Sequence, residues 1–99
     1  MVQRRSVRQD RLMKTLGANI QRWRKVNGMS ASELAARSFI TRETLRNIEN
    51  GTGSPRIDSF FAVLSTLGIA DAIVTASDPY SNSAARARID DLLGAGGAL

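Results

Sequence analysis

Between Ser30 and Gly51 the chain packs two helix starts, a turn and a helix stop into one short stretch, SASELAARSFITRETLRNIENG. Ser30-x-x-Glu33 has the form of a capping box, in which each side chain satisfies a free backbone N–H at the helix start. Ala31, Leu34 and Ala35 then face inward, and the small alanines allow close approach of the next element. Ser38-Phe39-Ile40 is the turn, Thr41 the cap of a second helix over about Arg42 to Asn50, and Gly51 its stop. At about 100° per residue, Leu45 and Ile48 share one side of that second helix. Arg42, Glu43, Arg46 and Asn47 lie nearly opposite. The apolar pair can bury while the polar four point outward.

The flanking sequence supplies the remaining walls of a small helical fold. Leu12, Leu16, Ile20, Trp23 and Val26 recur at spacings of four or three, which predicts a helix from about Asp10 to Asn27 with Trp23 as a core anchor. Gly28 follows at its end. After the Gly/Ser/Pro loop Thr52 to Arg56, Ile57, Phe60, Phe61, Val63, Leu64 and Leu67 predict a strongly apolar fourth helix, stopped by Gly68. Asp71 to Ala76 reads as a short fifth helix contributing Ile73 and Val74. Ser77-Asp78-Pro79 breaks the chain, and Ser83 to Leu93 forms an amphipathic segment with Ala85, Ile89, Leu92 and Leu93 on one stripe. There is no strand-like alternation and no internal repeat. The fold class is all-α: a compact bundle of four to five short helices around the Ser30–Gly51 stretch, plus a C-terminal amphipathic helix. The expected organisation is a flexible basic arm at 1–9, a domain at 10–77 and a tail at 78–99, whose last residues, GAGGAL, are flexible.

Charge and composition narrow the chemistry. Residues 1–56 hold 12 Lys or Arg against four acids, +8, whereas residues 57–99 hold two arginines against five aspartates, −3. A basic front half suits a polyanion, and nucleic acid is the natural candidate. The chain has no cysteine and no histidine. It therefore has no disulfide framework, no thiolate metal site and none of the commonest general base. With no phosphate loop and no paired carboxylates either, an enzyme is not expected, and no cofactor or metal is implied. No apolar run approaches the roughly 18 residues of a spanning helix, and the N-terminus lacks a secretory core. A cytoplasmic, nucleoid-associated protein with no membrane partner is the expectation. The five aromatics show no stacking pattern suited to RNA.

The outward residues of the second helix have the chemistry of base recognition: Arg pairs with guanine, Asn with adenine, Glu with cytosine. A short helix presenting such a face just after another is a helix-turn-helix layout. A helix start at Ser30 also offers its N–H groups to a DNA phosphate. The segment LAARSFITRETLRNIENG resembles the lambda-repressor and Cro-like (XRE) helix-turn-helix family, through Leu34, Ala35, Ile40, Thr41, Thr44, Leu45, Ile48, Glu49 and Gly51. The resemblance covers about residues 12–76. It implies that Arg42, Glu43 and Asn47 face bases in the major groove, with Arg46 at bases or phosphate. Ser30, Thr41, Thr44 and the loop residue Arg56 would then approach the DNA backbone. It also implies a structural ion pair between Glu49 and an arginine of the first helix, best placed at Arg24. Two positions depart from the family pattern: Phe39 stands at its turn glycine, and Ala31 where a glutamine often touches phosphate and braces the reading helix.

The tail LGIADAIVTASDPYSNSAARARIDDLLG is similar to that of small HipB-type antitoxins, which neutralise a HipA-like kinase toxin and repress their own operon. Taken together, these resemblances imply a homodimeric, autoregulatory repressor on a double-stranded DNA operator, with a HipA-like toxin kinase as partner. A stand-alone phage or mobile-element repressor, or a module mainly for protein interaction, is the alternative.

Overall fold

Among the described residues, four of the six α-helices begin at a side-chain oxygen that accepts a backbone N–H from the first turn, so helix register is set locally at those starts. The computed structural model describes residues 5–99, and all its regular structure is helical. α1 spans Val7–Val26 and is capped by Ser6, whose Oγ accepts the Gln9 N–H at 3.0 Å. α2 spans Ala31–Arg37, capped by Ser30 through Glu33 N–H at 3.0 Å. α3, Arg42–Asn50, is capped by Thr41 through Thr44 N–H at 3.0 Å. α4 spans Ile57–Leu67 and α5 Ala70–Ser77. A single 3₁₀ turn, Pro79–Ser81, then leads to α6, Ser83–Gly94, capped by Asn82. Such caps are each worth about 1 kcal/mol.

Three expectations change. α1 starts three residues before Asp10, because Ser6 is a better cap than anything nearer. Residues 7–9 are helix, and what remains of the expected arm at residues 1–4 lies outside the described residues. The capping box at Ser30 is half made: Glu33 turns its carboxylate to Arg37, 3.4 Å away and one turn on, instead of back to Ser30. Trp23 is 44% exposed and is no core anchor. The inward side of α1 is Met13, Leu16, Gly17, Ile20 and Arg24, rotated by roughly 80° from the apolar stripe read off the sequence. Leu12 and Val26 are exposed for the same reason. A glycine and an arginine, neither apolar in sequence, face the neighbouring helix.

Two compact units divide between Gly68 and Ile69, before α5 rather than after it. In the first, Ile20, Leu34, Leu45, Val63 and Leu64 are fully buried and form the centre shared by α1 to α4. Polar groups inside it are satisfied. Ser38, buried at the end of α2, donates to Thr66 Oγ1 at 3.1 Å, and Thr66 donates in turn to the Ala62 carbonyl at 2.8 Å. Asn27 donates to the Leu67 carbonyl at the end of α4. Phe60 and Phe61 meet edge-to-face with centroids 5.8 Å apart. In the second unit Asp78 accepts the Tyr80 N–H and starts the 3₁₀ turn, and Ile89 of α6 is buried. Val74, Tyr80, Leu92 and Leu93 are each about half exposed. No single helix among the described residues is long and apolar enough to cross a membrane.

Candidate nucleic-acid interface

The outward face of α3 is held in place from behind by two contacts with α1, one ionic and one steric. Arg24 donates Nε to Glu49 Oε2 at 2.8 Å and Nη2 to Glu49 Oε1 at 3.1 Å, a two-pronged pair with both side chains about nine-tenths buried. Its remaining arm donates to the Met29 carbonyl at 3.2 Å, so one guanidinium ties together α1, the segment entering α2, and α3. Hydrogen bonding to Glu49 raises the Arg24 pKa above its ordinary value, against a smaller desolvation effect.

The steric contact is made by glycine. A Cβ on Gly17 would stand 2.5 Å from the Glu49 carbonyl oxygen and 2.8 Å from its carbon. At the other end of α3, Gly51 stops the helix at φ 66, and a Cβ there would stand 2.6 Å from Lys14 N. The two helices therefore touch backbone to backbone. Sequence reasoning missed Gly17; its signal was an isolated glycine inside a long helix, a position that costs about 1 kcal/mol unless packing needs it.

On the opposite side of α3, Arg42, Glu43 and Arg46 are all exposed, and Asn50 joins them at the last turn. Asn50 lies at the centre of this face by helical spacing and was not among the sequence candidates. Asn47 departs from the expected set. It is half-buried, its Oδ1 accepts the Thr52 hydroxyl at 3.2 Å, and its amide nitrogen lies against Gly53. The structure thus brings three of the four expected readers together and turns the fourth toward the loop after α3, because its position lies furthest round toward Ile48.

That loop carries a second unexpected group. Arg5 donates to the carbonyls of Gly51 and Gly53, placing a cation at the C-terminal end of α3, where the helix dipole favours one. Arg56 points outward beside Asp58 at 3.1 Å, an exposed pair that contributes little to stability.

The expected backbone-contacting hydroxyls are engaged locally but keep donors in reserve. Ser30 accepts from Glu33 N–H, which leaves its O–H free to donate. Thr41 accepts from Thr44 N–H and donates to Thr44 Oγ1 at 3.0 Å, leaving the Thr44 O–H as the outward donor. Beside Ala31 a cavity of about 170 Å³ is lined by Gln21, Arg42, Arg46, Glu49 and Asn50. Arg42 reaches across the α2–α3 corner, and its Nη1 donates to Ser32 Oγ at 2.7 Å.

The turn itself is not reshaped by Phe39. Its φ is 56, the left-handed value a glycine would take, and its ring is 95% exposed. The residue takes on strain of about 1–2 kcal/mol without burial in this chain to offset it.

A family model described as helix-turn-helix matches residues 20–72, more than half of the chain. No curated protein and no solved structure matches it.

Proposed function

Since the chain belongs to the XRE-type helix-turn-helix family of DNA-binding transcription regulators, we propose that it is a sequence-specific repressor. It binds a near-palindromic operator as a homodimer and controls its own promoter. The observation that carries this reading is the pairing of an exposed Arg42–Glu43–Arg46 face with a rear surface held rigidly to α1. A reading helix must present its side chains in a constant frame, since each good bidentate base contact is worth about 1–3 kcal/mol of discrimination. Two copies would set their α3 helices in successive major grooves about 34 Å apart.

The test is a titration of the protein on its own upstream DNA and on a scrambled duplex, at two salt concentrations. Tight binding to the upstream DNA alone supports the autorepressor. Equal, strongly salt-sensitive binding to both duplexes refutes it and leaves a non-specific basic domain.

Within that assay two arginines should behave differently. Arg42→Ala is expected to cost about 1–3 kcal/mol on the cognate site and to relax base preference at one position. Arg56→Ala should weaken binding to all sequences alike and reduce the salt slope by about one. A uniform loss for Arg42→Ala, or a sequence-dependent one for Arg56→Ala, would reverse the roles assigned here.

A second role, antitoxin to a HipA-like kinase, is supported by the acidic second unit and its half-exposed Val74, Tyr80, Leu92 and Leu93. Leu92→Asp combined with Leu93→Asp should abolish a complex with a neighbouring kinase-like gene product and leave operator affinity unchanged. If no such product binds the unaltered chain, the stand-alone repressor is the better account.

A further inference from the structure

We infer that Ser32 is a positioning residue for base recognition: it selects which edge of the Arg42 guanidinium faces the DNA. This inference rests on Arg42 reading a base, as proposed above. Arg42 is the first residue of α3, exposed, on a long stem with many rotamers. Unrestrained, it has two attractive directions. One is outward, toward DNA; the other is into the cavity beside Ala31, which Glu49 and Asn50 help to line. Ala31 is too small to close that cavity or to hold the arginine.

Ser32, one residue further along α2, does hold it. The Nη1 to Oγ hydrogen bond of 2.7 Å spans the corner between the two helices, joining residues ten apart in sequence. A guanidinium has five N–H donors in a planar fork. With one Nη1 hydrogen donated to Ser32, the Nε–Nη2 edge remains whole and can make the paired hydrogen bonds that match guanine O6 and N7. The serine hydroxyl keeps its own proton free for a second acceptor, such as a phosphate oxygen. Because Ser32 is exposed on α2, its removal has no reason to unfold the domain.

The experiment measures affinity and base preference, by selection from a randomised duplex pool, for Ser32→Ala, Ser32→Thr, Arg42→Ala and the double variant Ser32→Ala with Arg42→Ala. All are compared with the unaltered chain, with melting temperature as a control. Ser32→Ala is expected to lower affinity for the best site about three- to tenfold, the scale of one hydrogen bond. It should flatten preference at the same base position that Arg42→Ala flattens, with melting unchanged. Ser32→Thr should restore the preference, and the double variant should match Arg42→Ala alone. If Arg42→Ala flattens a position and Ser32→Ala leaves that position intact, or if the two losses add, Ser32 does not position Arg42. If Arg42→Ala flattens nothing, the base-reading role fails, and this inference with it.

Discussion

Glu49→Ala is expected to cost about 3–5 kcal/mol of folding stability, the scale of removing one partner from a buried pair. The variant leaves the largely buried Arg24 guanidinium with only the Met29 carbonyl to accept from it. A small domain has about 5–15 kcal/mol in total, so a loss of this size should bring the denaturation midpoint down by a large fraction. Arg24→Ala should do nearly the same, since Glu49 would then be a buried carboxylate without a cation. The double replacement Arg24→Met with Glu49→Leu distinguishes an unpaired charge from lost packing. It should recover most of the stability, because an apolar pair of similar volume avoids desolvating two charges. Urea titration of the four proteins checks this; a loss under 1 kcal/mol for Glu49→Ala would mean that the pair is effectively solvated.

Gly17→Ala should also destabilise, and here the sign carries the argument. In an exposed helix, glycine to alanine stabilises by about 1 kcal/mol through propensity. At Gly17 the new methyl would stand 2.5 Å from the Glu49 carbonyl oxygen and 2.8 Å from its carbon. These are backbone atoms that cannot rotate away, so α1 and α3 must separate, at a cost of about 1–3 kcal/mol or more. Gly17→Val should be worse. Thermal melting of both variants decides the matter: a raised Tm in Gly17→Ala would show that the helices do not touch there. Operator affinity should fall with stability, because the displaced element is the one that carries Arg42 and Arg46.

These two sites illustrate what periodicity conveys and what it omits. The helical stretch Ser30–Gly51 was legible because its signals are local: Ser30, Thr41 and Gly51 act within a few residues, and Leu45 and Ile48 differ sharply from Arg42 and Arg46. Whole-helix orientation was less so. Counting apolar residues placed Trp23 inside, whereas α1 turns a glycine and an arginine toward α3 and leaves Trp23 half exposed. Hydrophobicity cannot see a contact made by the absence of a side chain, or by a charge whose partner lies 25 positions away. Asn47 shows a related limit on α3, whereas the place of Asn50 follows from helical spacing alone. Asn47 is the member of the outer set nearest Ile48 by helical angle, and it lies half-buried with its Oδ1 accepting the Thr52 hydroxyl. The Ser32–Arg42 hydrogen bond depends on how two helices meet, which no single helix pattern encodes.

The guanidinium of Arg24 has a consequence for how the fold opens. By bonding at once to Met29 before α2 and to Glu49 on α3, it prevents any one of these segments from detaching alone. Amide protons in the middle of α3 should therefore exchange with solvent only when the whole first unit unfolds, with α1 and α3 sharing one opening free energy. A short helix that would melt readily as a peptide thus acquires the lifetime of the entire domain.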